Sequence, residues 1–222
     1  TTASNNTAVG YQAGYSTTTS HDNVAMGNRA MYSQTDGGGG GGYNVAIGVN
    51  AMYTSTMSNQ VAIGTAAMQY ATTGSSNTAI GDGALRFTNT GSYNTALGQN
   101  ALYSNTTASY NTAVGYQAAY SNTTTGYNTA VGYGSLYTST AGYATAVGYY
   151  AGYANTSGGD LNAFGYRSLQ SNTTGSENVG YGTYTLQANT TGNNNTAMGV
   201  QSLFSNTTAS NNTAVGYQAG YS

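Results

Sequence analysis

One glycine, preceded by a small residue and a larger apolar one, recurs at 10, 27, 48, 64, 81, 98, 115, 132, 148, 165, 182, 199 and 216. The spacing between these glycines is 17 residues in nine steps, 16 in two and 21 in one. A fixed short period restricts the chain to architectures in which one small unit stacks on the next. Helical repeats need about 33 residues or more and propeller blades about 40, so both are excluded by the period. Aligned on the glycine, the consensus is N-T-A-V-G-Y-x-A-L-Y-S-N-T-T-G-S-N, and positions below are counted from its first Asn, which puts Gly10, Gly27, Gly48, Gly64, Gly81, Gly98, Gly115 and Gly132 at position 5.

Position 2 is Thr or Val in all copies but one, and position 4 is large and apolar in all of them, the alternation of a short strand. This predicts that Val9, Ile47, Ile63, Ile80, Leu97, Val114, Val131 and Val147 form the core. Positions 3, 5 and 8 stay tiny, which points to close approach of another backbone, either the opposite wall of a thin coil or a second copy of the chain. A lateral self-association along that small-residue stripe is expected. A second strand is expected at positions 8 to 10, as in Ala101, Leu102 and Tyr103, followed by S-N-T-T-G-S turn chemistry. Two short strands and two bends in 17 residues, without proline, describe one coil of an all-β parallel β-solenoid (β-roll) of about thirteen coils, each rung rising about 4.8 Å.

The whole span 1–222 therefore reads as one continuous tandem array. The 21-residue step carries its extra residues as Gly37–Gly42, read as a flexible bulge in the turn region. Residues 207–222 repeat residues 1–16 without change, so a longer unit of 206 residues itself repeats. Neither end carries the charged or helical cap of a soluble solenoid, and continuation into a fibre is expected.

Only eight of 222 residues are ionised at neutral pH, lysine is absent and the net charge is −2, leaving no basic face for nucleic acid or anionic membrane. Cysteine is absent, so neither a disulfide nor a cysteine zinc site is available. No apolar run is long enough to span a bilayer, and no export signal is visible at Thr1. Abundant Gly, Ser, Thr and Asn could signal disorder, but 23 tyrosines and a strictly spaced apolar set supply burial that a disordered tract lacks.

Catalytic chemistry has almost nothing to work with. Asp22, Asp36, Asp82, Asp160 and Glu177 fall in different coils, and His21 is the single histidine. His21-Asp22 reads as a solvated corner, and Arg29, Arg86 and Arg167 as solvated or locally paired. No enzyme activity, metal or cofactor is expected. Asn-x-Ser/Thr sequons occur at Asn5, Asn105, Asn122, Asn155, Asn172, Asn189, Asn194, Asn206 and Asn211. Six of these (Asn105, Asn122, Asn155, Asn172, Asn189 and Asn206) share position 12 and have two readings: a glycan-bearing ridge, or an internal ladder of amides bonding rung to rung. The ladder is favoured, because glycans about 5 Å apart would crowd. Tyrosines at position 10 (Tyr15, Tyr32, Tyr53, Tyr103, Tyr120, Tyr137, Tyr153 and Tyr221) should form aromatic ladders that either stabilise the stack or bind carbohydrate faces.

The run N-T-A-V-G-Y-Q-A at 111–118 and 212–219 resembles the N-S-V-A-I-G-x-x-A repeat of trimeric autotransporter adhesin heads. It is more similar still to the tandem N-T-A-V-G-Y-Q-A-L-Y-S-N-T-T-G arrays of phage tail-fibre-like and large surface proteins, which often end in a self-cleaving chaperone domain. The resemblance covers all thirteen copies but departs from the adhesin heads in period, and no chaperone, anchor or stalk is present in the sequence. It implies a parallel β-roll, trimeric in the adhesin case, working as an elongated element at an extracellular, cell or virion surface, with no catalytic residues to carry over. The expected function is a structural one, an extracellular filament or fibre shaft growing end to end. The alternative is an adhesin or tail-fibre segment that binds surface glycans.

Overall fold

The computed structural model describes residues 3–34 and 41–221, in two compact units, Thr1–Asn111 and Thr112–Ser222. Both are built from the same coil. Three-residue strands carry the T-A-V core of each repeat. In the first unit they are β1 (Thr7–Val9), β2 (Val24–Met26), β4 (Val45–Ile47), β6 (Val61–Ile63), β7 (Thr78–Ile80) and β8 (Thr95–Leu97), which pair in that order. Two shorter strands, β3 (Ser33–Gln34) and β5 (Thr54–Ser55), form a separate parallel pair. The second unit stacks β9 (Thr112–Val114), β10 (Thr129–Val131), β11 (Thr145–Val147), β12 (Asn162–Phe164), β13 (Val179–Tyr181), β14 (Thr196–Met198) and β15 (Thr213–Val215) in sequence order. Within each unit the strands pair parallel and in register, Thr129 against Thr145 and Val131 against Val147, for example. This is a parallel β-solenoid, as the period requires. Residues 37–40 of the glycine-rich bulge lie outside the described residues; Gly42 beyond it forms a parallel bridge with His21.

The faces of the strand are the reverse of the expected ones. Ala25, Ala46, Ala62 and Ala79 in the first unit, and Ala130, Ala146, Ala163 and Ala197 in the second, are the buried strand residues. The larger neighbours point outward. Val9 is 56% exposed and Leu97 44%, while Ile47, Ile63, Ile80, Val114, Val131 and Val147 are only half-buried. The reason is the width of the coil. Position 9, held by Met31, Met52, Met68, Leu85, Leu136, Leu169 and Leu186, projects inward and is fully buried, and a thin coil has room for one large side chain per rung. Each such Leu contributes about 2 kcal/mol of burial, so alanine must stand opposite it. Positions 3 and 8 of the small-residue stripe thus lie inside the coil, while glycines at position 5 such as Gly81 and Gly132 are half-buried.

Exceptions to the consensus obey the same volume rule. Where Gly152 stands in place of leucine, Leu161 occupies position 1 of the following coil, usually Asn, and is fully buried; its Cδ2 lies 3.2 Å from where a Gly152 Cβ would be. Gly180, the one glycine at position 3, faces Ser168 and Thr185 at position 8, and an added Cβ would come within 2.5 Å of the Ser168 Oγ. That hydroxyl donates to the Gly180 carbonyl at 3.0 Å and lies 2.8 Å from the Thr185 hydroxyl.

The expected second strand is replaced by a bent wall. Positions 7 and 9 are left-handed, as at Asn100 (φ 57°) and Leu102 (φ 50°), so the segment around Ala101, Leu102 and Tyr103 cannot be extended. It still bonds rung to rung, Leu85 N to Ala101 O at 3.0 Å and Leu169 N to Thr185 O at 2.9 Å. A full coil turns on four positive-φ residues. In the coil beginning at Leu161 they are Gly165 (130°), Arg167 (54°), Leu169 (51°) and Glu177 (57°).

This inversion gives a paired expectation. Ile80→Asp, which would be severe at a core position, should cost about 1 kcal/mol or less because the side chain reaches water. Ala79→Gln should cost about 3 kcal/mol, since it overpacks the thin interior and buries an amide without partners. Urea unfolding of the two variants checks the ranking, and a more damaging Ile80→Asp contradicts the assigned faces.

Candidate functional site

Two ladders of buried side-chain amides run along the coils. At position 12, the Asn172 Nδ2 donates to the Asn155 Oδ1 at 2.9 Å, Asn189 to Asn172 at 2.7 Å and Asn206 to Asn189 at 2.9 Å. The same nitrogen closes the following turn by donating to the carbonyl three residues on: Asn105 to Ala108 (3.1 Å), Asn122 to Thr125 (2.9 Å), Asn155 to Gly158 (2.9 Å) and Asn172 to Gly175 (2.8 Å). Asn105, Asn122, Asn155, Asn172 and Asn189 are buried, and Asn206 is half-buried with the same bonds. This arrangement favours the ladder over the glycan ridge: in Asn155, Asn172, Asn189 and Asn206 the nitrogen that would carry the sugar is a donor to the neighbouring rung, and in Asn105 and Asn122 it closes the turn. A folded chain secreted from a glycosylating host should carry no glycan on them by peptide mapping. A sugar on Asn172 of folded protein would contradict the ladder.

The second ladder, at position 1, was not anticipated, although the consensus Asn was its signal. Its side-chain oxygens accept the backbone N–H of the next rung, as in Asn44 to Asn23 (3.0 Å), Asn94 to Asn77 (2.8 Å) and Asn195 to Asn178 (3.0 Å). Where Gln60 replaces Asn, its Oε1 takes the Asn77 N–H at 3.0 Å. Buried amides satisfied on both sides fix register, because any slip orphans them together.

Tyrosine columns line the outside. Tyr32 stacks on Tyr15 and Tyr53 with centroids at 5.2 and 4.9 Å, and Tyr137 on Tyr120 and Tyr153 at 5.1 Å each. Further columns join Tyr116, Tyr133, Tyr149 and Tyr166, and pair Tyr127 with Tyr143. Inside a column each ring has a ring above and below, so its faces are occupied and a sugar ring cannot stack there. For such flanked rings only edges and hydroxyls remain for a ligand. The Tyr149 phenol is held above its ordinary value, chiefly by its hydrogen bond with Tyr150.

Of the acidic residues and the histidine, His21 and Asp22 meet. His21 Nδ1 lies 2.8 Å from the Asp22 Oδ2 on an exposed corner, with its ring edge-on to Tyr43, and this bond, helped by Asn5, lowers the Asp22 carboxyl below its ordinary value. The arginines are locally paired: Arg29 donates to Gln12, Arg86 to Gln69 and to the Tyr103 hydroxyl, and Arg167 lies over the Tyr166 ring. Among the described residues no three His, Cys, Asp or Glu come together as a metal site, and no helix is long and apolar enough to cross a membrane. A cavity of about 150 Å3 in the first unit lies where Gly14 replaces the usual Leu or Met; it is lined by Asn6, Thr7, Ala8, Gly14, Thr17, Asn23, Ala25 and Met31, none of them ionisable. Compared with known proteins, the chain matches no family model, no curated protein and no solved structure.

Proposed function

We propose that this chain is a structural protein, the shaft of an extracellular or virion-surface filament that extends by adding coil to coil. The observation that carries the reading is the coil interface itself. One face of a coil offers the donors and acceptors that its opposite face requires: Val179 N bonds Asn195 O on one side, and Gly182 N bonds Phe164 O on the other. A head-to-tail interface of this kind does not close and propagates as a filament. Identical side chains recur in identical places, which suits length and stiffness, and the one close acid–base pair among the described residues, His21 with Asp22, sits on an exposed corner outside any cleft. Negative-stain imaging tests this: filaments many times longer than one chain support it, and discrete particles at every protein concentration overturn it.

A second reading, an adhesin or tail-fibre segment binding surface glycans, is favoured by the outward apolar residues Leu97, Tyr181 and Met198, which are 44%, 58% and 44% exposed. Saturable binding on a glycan array, lost on substitution of these outward residues, would support it over the first.

A further inference from the structure

The covalent chemistry open to this chain is unusually narrow. With no cysteine it cannot form a disulfide, with no lysine it cannot form a lysine isopeptide, and with no tryptophan or thiolate it lacks the side chains that compete with phenols for a one-electron oxidant. Its six methionines react instead by accepting an oxygen atom. An oxidising equivalent reaching this surface is left with tyrosine, and the fold sets tyrosines in register. Tyr127 and Tyr143 stack at 5.3 Å with planes 2° apart, and they are 57% and 64% exposed. Tyr137 and Tyr153 stack at 5.1 Å and 8°, and Tyr32 and Tyr53 at 4.9 Å and 2°. Parallel stacking in adjacent coils sets the Tyr127 and Tyr143 rings face to face with their centroids 5.3 Å apart, and both residues reach solvent.

We propose that the tyrosine columns are sites of oxidative phenol coupling, with Tyr127 and Tyr143 the foremost pair, so that a haem peroxidase using hydrogen peroxide joins one coil to the next as dityrosine. Each phenol gives up one electron and its hydroxyl proton. The two phenoxyl radicals combine through their ortho carbons, forming one carbon–carbon bond, and the hydrogens on those carbons move through solvent to the oxygens to restore two phenols. The peroxide takes the two electrons and two protons and leaves as two waters. Prior positioning makes the coupling intramolecular, which favours it over encounters between chains. The purpose of the bond, stapling a load-bearing stack, rests on the structural reading above; the coupling chemistry does not.

The test treats the 222-residue chain with a haem peroxidase and limiting hydrogen peroxide at high dilution, then maps linked peptides by tandem mass spectrometry. A Tyr127–Tyr143 link is expected on chains that still run as monomers, two hydrogens lighter, in a yield that does not fall on further dilution. Tyr143→Phe should lose that link while keeping the parent circular dichroism and the Tyr137–Tyr153 link, and Tyr127→Phe serves if the first variant misfolds. The proposal is overturned by an absence of dityrosine, by links only between chains, or by the same scattered pairs that a urea-unfolded chain gives. Filament imaging of unoxidised chain addresses the structural reading separately, so either can fail alone.

Discussion

Gly165→Ala should be among the most damaging single-methyl changes in the second unit, lowering unfolding stability by about 4 kcal/mol. Two costs coincide. Gly165 sits at φ 130°, a region that residues with a Cβ rarely enter, and the added Cβ would lie 2.5 Å from the Gly182 carbonyl oxygen of the next rung and 2.6 Å from its carbon. Backbone on a bonded rung cannot swing aside as a side-chain tip can, so relief requires breaking the ladder there. Glu177→Gly is the matched control: it is also a positive-φ position (57°) but an exposed one, so glycine removes the left-handed penalty while loosening the unfolded chain, and the two effects nearly cancel. Urea unfolding of the two variants beside the parent measures the contrast. Because each coil contacts mainly its neighbours, hydrogen exchange in Gly165→Ala should accelerate around residues 160–185 before it does elsewhere.

Asn172→Asp should destabilise by a comparable amount at neutral pH, and the loss should shrink on acidification. The amide nitrogen it replaces faces two acceptors, the Asn155 Oδ1 and the Gly175 carbonyl, in a buried site. A carboxylate there repels both and loses its hydration, so the folded state holds the acid above its ordinary value. The folded variant then binds more protons than the unfolded chain, and its stability falls as pH rises from about 4, where an unfolded carboxyl ionises. Below that, the protonated acid can donate to one of the two oxygens and part of the loss returns. About 4 kcal/mol at pH 7 and a much smaller deficit near pH 4 are expected from denaturant midpoints. Equal deficits at both would mean that the position is open to water.

How legible the fold was depends on which property of a residue one reads. The period and the obligatory glycine gave the coil, since only stacking explains a small residue recurring every 17 positions. Assigning the inward face by size failed because in a coil this thin the limiting quantity is volume: Leu169 or Met68 fills the rung, and Val131 and Ile80 are left outside. At position 12 the crowding of glycans pointed to an amide ladder, and Asn155, Asn172, Asn189 and Asn206 bond rung to rung, whereas Asn105 and Asn122 close their own turns. Left-handed corners at Leu169, Met68 and Tyr127 carried no warning, because those residue types do not mark positive φ; the rung-to-rung bonds hold them there against local preference. Local patterning names the elements, and what closes the coil is a tertiary bargain between four strained corners and two amide ladders.

Diffraction from oriented filaments of the 222-residue chain tests the central claim most directly. If chains join coil on coil, the strands lie across the filament and their bonds run along it, giving a reflection near 4.8 Å on the filament axis. Filaments that lack this reflection, or show it perpendicular to the axis, would contradict a shaft built by continued stacking, as would a chain that never forms filaments.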